Sequence, residues 1–322
     1  MALASTWREG IEIPWKRSAA ATRPTQGRGG AGPGKRPAIL THARRERNLG
    51  ARRCRRACHG LLLGACLAAS GALAAAEPLH WLVQPPAWRG EPRVFDPGPL
   101  GALLARAVGV PVRVRISDDT LSHWHAVRAP DGYQLAFDEA HFTAYRVRHH
   151  GFQVLARAAG EVRFAVIASP GTLIATPGDL VARRVAVAAP PALAPLRLLE
   201  LFPDAVRVPL LQAMVSRDAA LAALAAGQVA GAVLVLDDAA SAHAGRVALI
   251  TDASPGRGFS VAPGVSEAVR TALLRALTGA HGSPEGRRAL ARLAVQTMES
   301  ASAAGYEDSE RLLRGTWGYR AR

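Results

Sequence analysis

The sequence predicts an α/β protein of two lobes, on three observations. From residue 77 onward, short apolar or alternating runs of strand type take turns with segments of helical spacing. No segment repeats another in tandem. The stretch of about 245 residues after Glu77 is large for one sheet and comfortable for two lobes. Such alternation builds mainly parallel sheets flanked by helices.

The elements follow in order. Leu79 to Pro85 (LHWLVQP) alternates as a first strand. Gly98 to Gly109 has helical spacing and stops at a glycine. Val110 to Ser117 (VPVRVRIS) is a strand, LSHWHAVRA a short helix and Tyr133 to Phe137 a third strand. Glu139 to Gly151 is a helix, followed by the strand FQVLARA. Val162 to Ser169 reads as one strand, then comes the turn TPGDL, and Arg183 to Ala189 as another strand. The helix APLRLLELF leads to a strand around Val206–Val208. Ser216 to Asp238 reads as a helix, a stop at Gly227 and a buried strand. RVALIT and GFSVAP are strands. SEAVRTALLRALTG and SPEGRRALARLAVQ close the chain as helices, each with a serine at its start as N-cap.

The chain has 322 residues, with Lys+Arg 40 against Asp+Glu 25 and a formal charge of +15. The charge is unevenly placed. Residues 1–76 carry 14 Lys/Arg against Glu9, Glu12 and Glu46, a net of +11, and the remainder is +4. Basicity confined to one end argues against nucleic acid as the partner of the folded part. Arg52-Arg53-Cys54-Arg55-Arg56, the apolar run Ala57 to Ala76 and its small-residue end match a secretory signal peptide, with cleavage after Ala76. An uncleaved anchor helix and lipidation at Cys66 are the alternatives. Residues 1–56 are expected to be a basic disordered tail or the product of a start assigned too early. All three cysteines (Cys54, Cys58, Cys66) precede the cleavage point. The mature chain would then hold no disulfide, cysteine-ligated zinc or cysteine nucleophile.

Two short motifs suggest a nucleotide-driven motor, and the residues exclude it. Gly29, Gly34 and Lys35 fit a phosphate loop, but Arg36 stands where the Mg²⁺-binding hydroxyl belongs, and Pro33 and Pro37 oppose the required helix. Asp138-Glu139-Ala140-His141 spells a helicase acidic box with no partner motif.

Four stretches together carry a resemblance: Gly132 to Arg157, Thr176 to Leu201, Ser216 to Leu234 and Ala248 to Gly279. Their order resembles the phosphate/phosphite/phosphonate (PhnD-like) solute-binding family of type 2 periplasmic binding proteins. The resemblance implies two lobes with a ligand cleft between them, here lobe 1 from residues 77–163 plus 256–322 and lobe 2 from 164–255. It implies a small polar or anionic ligand, phosphonate- or phosphate-like, held by loops at the carboxyl ends of strands. The implied partner is a membrane ABC permease or a sensor protein. The chain is expected to be a monomer without a cofactor. In the family an oxyanion is also held at a helix N-terminus, whose free N–H groups and dipole favour negative charge. Phosphonate binders are Ser/Thr-rich there. This chain instead has Ala188-Ala189-Pro190-Pro191-Ala192, without hydroxyls and with two N–H donors removed.

Candidate ligand residues lie at strand ends. Asp138, Glu139 and His141 follow the third strand, with helix capping as the other reading of the two acids. Tyr145 is one turn beyond His141 on the same helical face. Asp237 and Asp238 end the buried run AGAVLVL. Asp119 and Thr120 belong to the cluster Ser117 to Thr120, which turn chemistry also explains. His123 and His125 diverge on a helix, and His149 and His150 suit a helix C-terminus, so no zinc signature forms. No G-x-S-x-G or nucleophile–base set occurs. The sequence therefore points to an exported solute-binding protein, with an enzyme on the same fold or a sensory or assembly module as alternatives.

Overall fold

The structure is a computed structural model and describes residues 77–88, 94–237 and 246–320. The signal peptide, the anchor and lipidation alternatives, and the basic tail concern residues outside these, as does Asp238. Among the described residues no helix is long and apolar enough to cross a membrane.

The strands form two large sheets and one two-stranded ribbon. The first is ordered β13-β4-β12-β3-β1-β2, from β1 (Leu79–Val83), β2 (Val112–Ile116), β3 (Leu135–Asp138), β4 (Gln153–Ala158), β12 (Gly258–Val261) and β13 (Met298–Ser300). The second is ordered β10-β6-β9-β7-β8, from β6 (Phe164–Ala168), β7 (Arg184–Val187), β8 (Leu210–Ala213), β9 (Gly231–Val235) and β10 (Arg246–Ile250). The helices are α1 (Gly98–Val108), α2 (Thr120–Arg128), α3 (Ala140–His150), α4 (Leu193–Leu199), α5 (Arg217–Ala225), α6 (Glu267–Gly279) and α7 (Pro284–Ala291). Ser216, Ser266 and Ser283 each accept a backbone N–H at a helix start, as N-caps do.

Both sheets are mixed, where the sequence suggested mainly parallel ones. β1 pairs in parallel with β2 and β3, and β7 with β8 and β9. β12 runs antiparallel to β3 and β4, and β6 antiparallel to β9 and β10. The physical reason lies in the two passages between sheets. β6 and β12 are the first strands after each passage, and both enter their sheet from the opposite direction. The passages themselves pair as a short ribbon, β5 (Glu161–Val162) against β11 (Ser254–Pro255). Beside it the backbone at Gly256 packs on Ala158, where a β-carbon would lie 2.1 Å from the Ala158 carbonyl oxygen. No side chain fits that contact.

Three other expectations shift. The predicted strand at 162–169 is split between β5 and β6. The strand expected around Val206–Val208 lies instead at β8, and Val206 is 75% exposed. The last helix ends at Ala291 rather than running to Gln296, and the chain then turns into β13 and a 3₁₀ segment, Ala303–Leu313.

Two large apolar clusters surround the sheets, and the one at the second sheet also takes in Trp124, Phe142 and Tyr145 from α2 and α3. Trp81, Leu100, Leu104, Leu135, Phe137, Phe259, Leu273 and Leu290 are buried around the first sheet. Phe164, Val166, Val185, Val187, Leu198 and Val233 are buried around the second. With no disulfide among the described residues, this burial, at about 25 cal/mol per Å² of apolar area, is what holds each sheet to its helices.

Candidate functional site

Three segments converge between the two sheets. β1 leads into Gln84, β3 runs into Glu139 at the start of α3, and the loop after β7 runs through Pro190-Pro191 into α4. Gln84 is buried and organises the first-sheet side. Its backbone N–H donates to the Phe137 carbonyl at 3.0 Å. Its side chain accepts from the Glu139 backbone N–H at 2.8 Å and donates to Glu139 Oε2 at 2.8 Å. Arg257, between β11 and β12, donates from Nη2 to the Gln84 carbonyl oxygen at 2.6 Å. The Arg257 guanidinium also lies 4.8 Å over the Phe137 ring, a cation–π contact.

Glu139 occupies the N-cap position of α3, but its side chain caps a different helix. Glu139 Oε2 accepts the Leu193 backbone N–H at 3.0 Å. This bond joins a helix of the first sheet to the first residue of α4 on the second. A second bond runs parallel to it, with His141 Nε2 2.9 Å from the Pro191 carbonyl oxygen. A carbonyl only accepts, so Nε2 carries the proton and Nδ1 does not. His141 is fully buried, and burial pushes its pKa down to about 3, with the Pro191 hydrogen bond opposing. Burial raises the pKa of Glu139, against the Gln84 hydrogen bond and the Arg257 charge, which favour the carboxylate.

A cavity of about 160 Å³ lies between the sheets beside these groups. Glu139 and Arg257 line it together with Trp88, Phe164, Val233 and Val235. The site thus has apolar walls, one carboxylate and one guanidinium.

Asp138 sits one residue behind and is fully buried. Its carboxylate pairs with Arg146 Nη2 at 2.5 Å, His123 Nε2 at 2.9 Å and Thr143 Oγ1 at 2.7 Å. Burial opposes its ionisation, yet the Arg146 charge and the His123 contact overcome this and hold the carboxyl well below its usual range. Burial keeps His123 neutral, its Nδ1 facing the Ser117 hydroxyl at 3.0 Å. Asp138 therefore faces the interior of the first sheet while its neighbour Glu139 faces the cleft.

The remaining sequence candidates lie elsewhere. Asp119 caps α2 by accepting the Ser122 N–H at 2.6 Å, and Thr120 is buried as the first residue of that helix. Tyr145 packs edge-on to Trp124 and lines a different cavity. Asp237 is exposed at the end of β9, outside the lining of the cleft. Of the eight candidates, Glu139 lines the cavity, His141 bonds across the same junction, and Asp138 turns away to Arg146, His123 and Thr143. Sequence reasoning missed Gln84, Trp88 and Arg257. Gln84 stands at a strand's carboxyl end, the signal that drew attention to Asp138; Arg257, in a Gly-Arg-Gly turn, gave none.

Among the described residues no group of three or more His, Cys, Asp or Glu is arranged to hold a metal ion.

Several solved proteins share the fold. XAC2383 from Xanthomonas citri, bound to ATP, superposes with a TM-score of 0.59 at 13% identity, over 74% of this chain and 96% of that one. PhnD1 from Prochlorococcus marinus, in complex with methylphosphonate, gives 0.58 at 12% identity, over 74% and 97%. A binding protein component of an ABC phosphonate transporter from Pseudomonas aeruginosa gives 0.52 at 14% identity, over 74% and 84%. No curated protein sequence matches the chain significantly. The profile of the family described as ABC transporter, phosphonate, periplasmic substrate-binding protein matches residues 96–306, well over half of the chain. The chain belongs to that family of periplasmic solute-binding proteins, which capture small ligands for a membrane permease and are not enzymes.

Proposed function

We propose that this protein captures a small zwitterion in the cleft between its sheets, with an anionic end toward Arg257 and a cationic or hydrogen-bond-donating end toward Glu139. The observation that carries this reading is the Glu139–Leu193 hydrogen bond. The family resemblance puts a ligand oxyanion near the start of the helix after β7, and here the chain supplies its own carboxylate at that place. A simple dianion such as phosphate would meet the like charge of Glu139 in a low-dielectric site, which costs several kcal/mol. A ligand that brings a donor to Glu139 and an anion to Arg257 meets both groups favourably. The cavity of about 160 Å³ is smaller than the roughly 300–1,000 Å³ of most ligand sites. A compact ligand with a short apolar body against Trp88, Phe164 and Val233 suits it.

Residues 77–163 with 256–322 act as one lobe and 164–255 as the other, closing about the β5–β11 ribbon. The ligand contacts are Glu139 and Arg257, with His141 bracing the closed form. The protein works as a monomer, released into the periplasm by cleavage after Ala76, and hands its ligand to the permease.

A thermal-shift panel tests this. The purified protein is heated with phosphate, methylphosphonate, an aminoalkylphosphonate, short amino acids and simple amines. A ligand at 100 times its Kd stabilises by about 2.7 kcal/mol, a rise in Tm of roughly 5–10 °C at this size. The expected result is a clear shift with a zwitterion and a smaller one with phosphate. A larger shift with phosphate or methylphosphonate than with any zwitterion would overturn the assignment of Glu139.

A further inference from the structure

A second cavity, of about 580 Å³, lies toward the other end of α3 and is within the size range of small-molecule sites. The last turn of α2 supplies His125 and Arg128, the second half of α3 supplies Tyr145, His149 and His150, and the C-terminal segment supplies Arg320. None of its lining residues is a carboxylate, and none is shared with the cleft between the sheets. Glu310 stands behind His149 and is engaged there, at 2.7 Å from His149 Nε2, 2.9 Å from Arg148 Nη1 and 3.1 Å from the Tyr319 hydroxyl.

The central cation is held in place. The Arg128 guanidinium lies 4.8 Å over the Trp317 ring and 5.6 Å over the Trp124 ring, and its Nη2 is 2.9 Å from His125 Nδ1. The Trp124 indole N–H donates to the Trp317 carbonyl at 2.7 Å, tying down the C-terminal segment. Gly318 packs directly on the guanidinium: its φ is +79°, and a β-carbon there would lie 2.3 Å from Arg128 Nη1. The positive φ favours glycine where the chain packs on this arginine. Guanidinium groups fixed in this way are pre-organised for anions.

We infer that this cavity is a second binding site, for a small organic polyanion such as a phosphate ester or polycarboxylate, whose charges meet Arg128 and Arg320. It is independent of the ligand in the cleft.

Titration calorimetry of the purified protein with pyrophosphate and with citrate tests this at low ionic strength. Wild type is compared with Arg320→Glu, Arg128→Gln and the cleft variant Glu139→Gln. Arg320 is exposed, so its reversal leaves folding intact even if the Arg128 variant unfolds. The expected result is saturable binding of at least one probe, weakened at least about tenfold by Arg320→Glu, unchanged by Glu139→Gln and weaker at physiological salt. Absence of saturable binding, equal affinity in wild type and Arg320→Glu, or loss of binding in Glu139→Gln would each overturn the assignment. Stronger binding of pyrophosphate marks a phosphate-type occupant, and stronger binding of citrate a polycarboxylate, and either supports the site.

Discussion

Asp138→Ala is expected to cost about 3–5 kcal/mol of stability, because it leaves a buried guanidinium without its counter-ion. Both partners have no exposed side-chain surface, and their contact is 2.5 Å. The other contacts of Arg146 are weaker: Nη2 reaches Ser260 Oγ at a long 3.5 Å, the guanidinium lies 5.6 Å over the Phe152 ring, and the neighbouring Tyr133 hydroxyl favours the cation. At this chain length the loss is a fall in Tm of roughly 6–20 °C. The double variant Asp138→Ala, Arg146→Met distinguishes the cause. Removing both charges is expected to recover a large part of the loss, since no buried charge is then stranded. If the double variant is as unstable as the sum of the single ones, the pair is not the source.

The second large effect is acid loss of stability starting near pH 6.5. His141 is buried and neutral, its pKa pushed down to about 3 by burial, against about 6.5 in the unfolded chain. Between these values the unfolded state binds a proton that the folded state refuses. Stability therefore falls as pH drops from 6.5, by about 1.4 kcal/mol per pH unit for each such histidine. His123 is shifted in the same direction by burial and adds to the slope. Asp138 has its pKa depressed and adds a further loss below the unfolded carboxylate range. Glu139 has its pKa raised by burial and opposes the trend at the acid end. Urea unfolding at pH 7.5, 6.5, 5.5 and 4.5 measures this. The expected free energy of unfolding falls by about 2 kcal/mol from pH 7 to 5 through His141, and His141→Gln flattens the slope. A flat profile to pH 4.5 would contradict buried, neutral histidines at these positions.

Much of the fold was legible because local pattern sufficed. VPVRVRIS, YQLAF and AGAVLVL have strand composition, and the serine-started runs at 216, 266 and 283 are helices in the structure. The failures were non-local. The antiparallel entries of β6 and β12 follow from passages between sheets that no periodicity marks. β8 was misplaced because valine content drew the reading to Val206, which the chain leaves in solvent. β13 and the 3₁₀ segment after it have too few residues for a period to show.

At the site, the strand-end signal found Glu139 but could not say which way it faced. All four residues of β3 are buried, so alternation does not separate the inward Asp138 from Glu139, which turns to the cleft. The partners of Glu139 lie 55 residues earlier, at Gln84, and 54 later, at Leu193. Such separations are invisible to local reading. The spacing that put Tyr145 on a face with His141 is correct for a helix, but one further turn carries the phenol away from the cleft and against Trp124.

In the proposed complex, Glu139 and Arg257 face the ligand between the sheets. Titration calorimetry tests this most directly, with the compound that gives the largest thermal shift, on wild type and Glu139→Gln. The neutral amide keeps the size of the side chain and removes its charge. Loss of affinity by about tenfold or more, equivalent to about 1.4 kcal/mol, is the predicted result. Unchanged affinity in Glu139→Gln would contradict a ligand that places its donor end on this carboxylate.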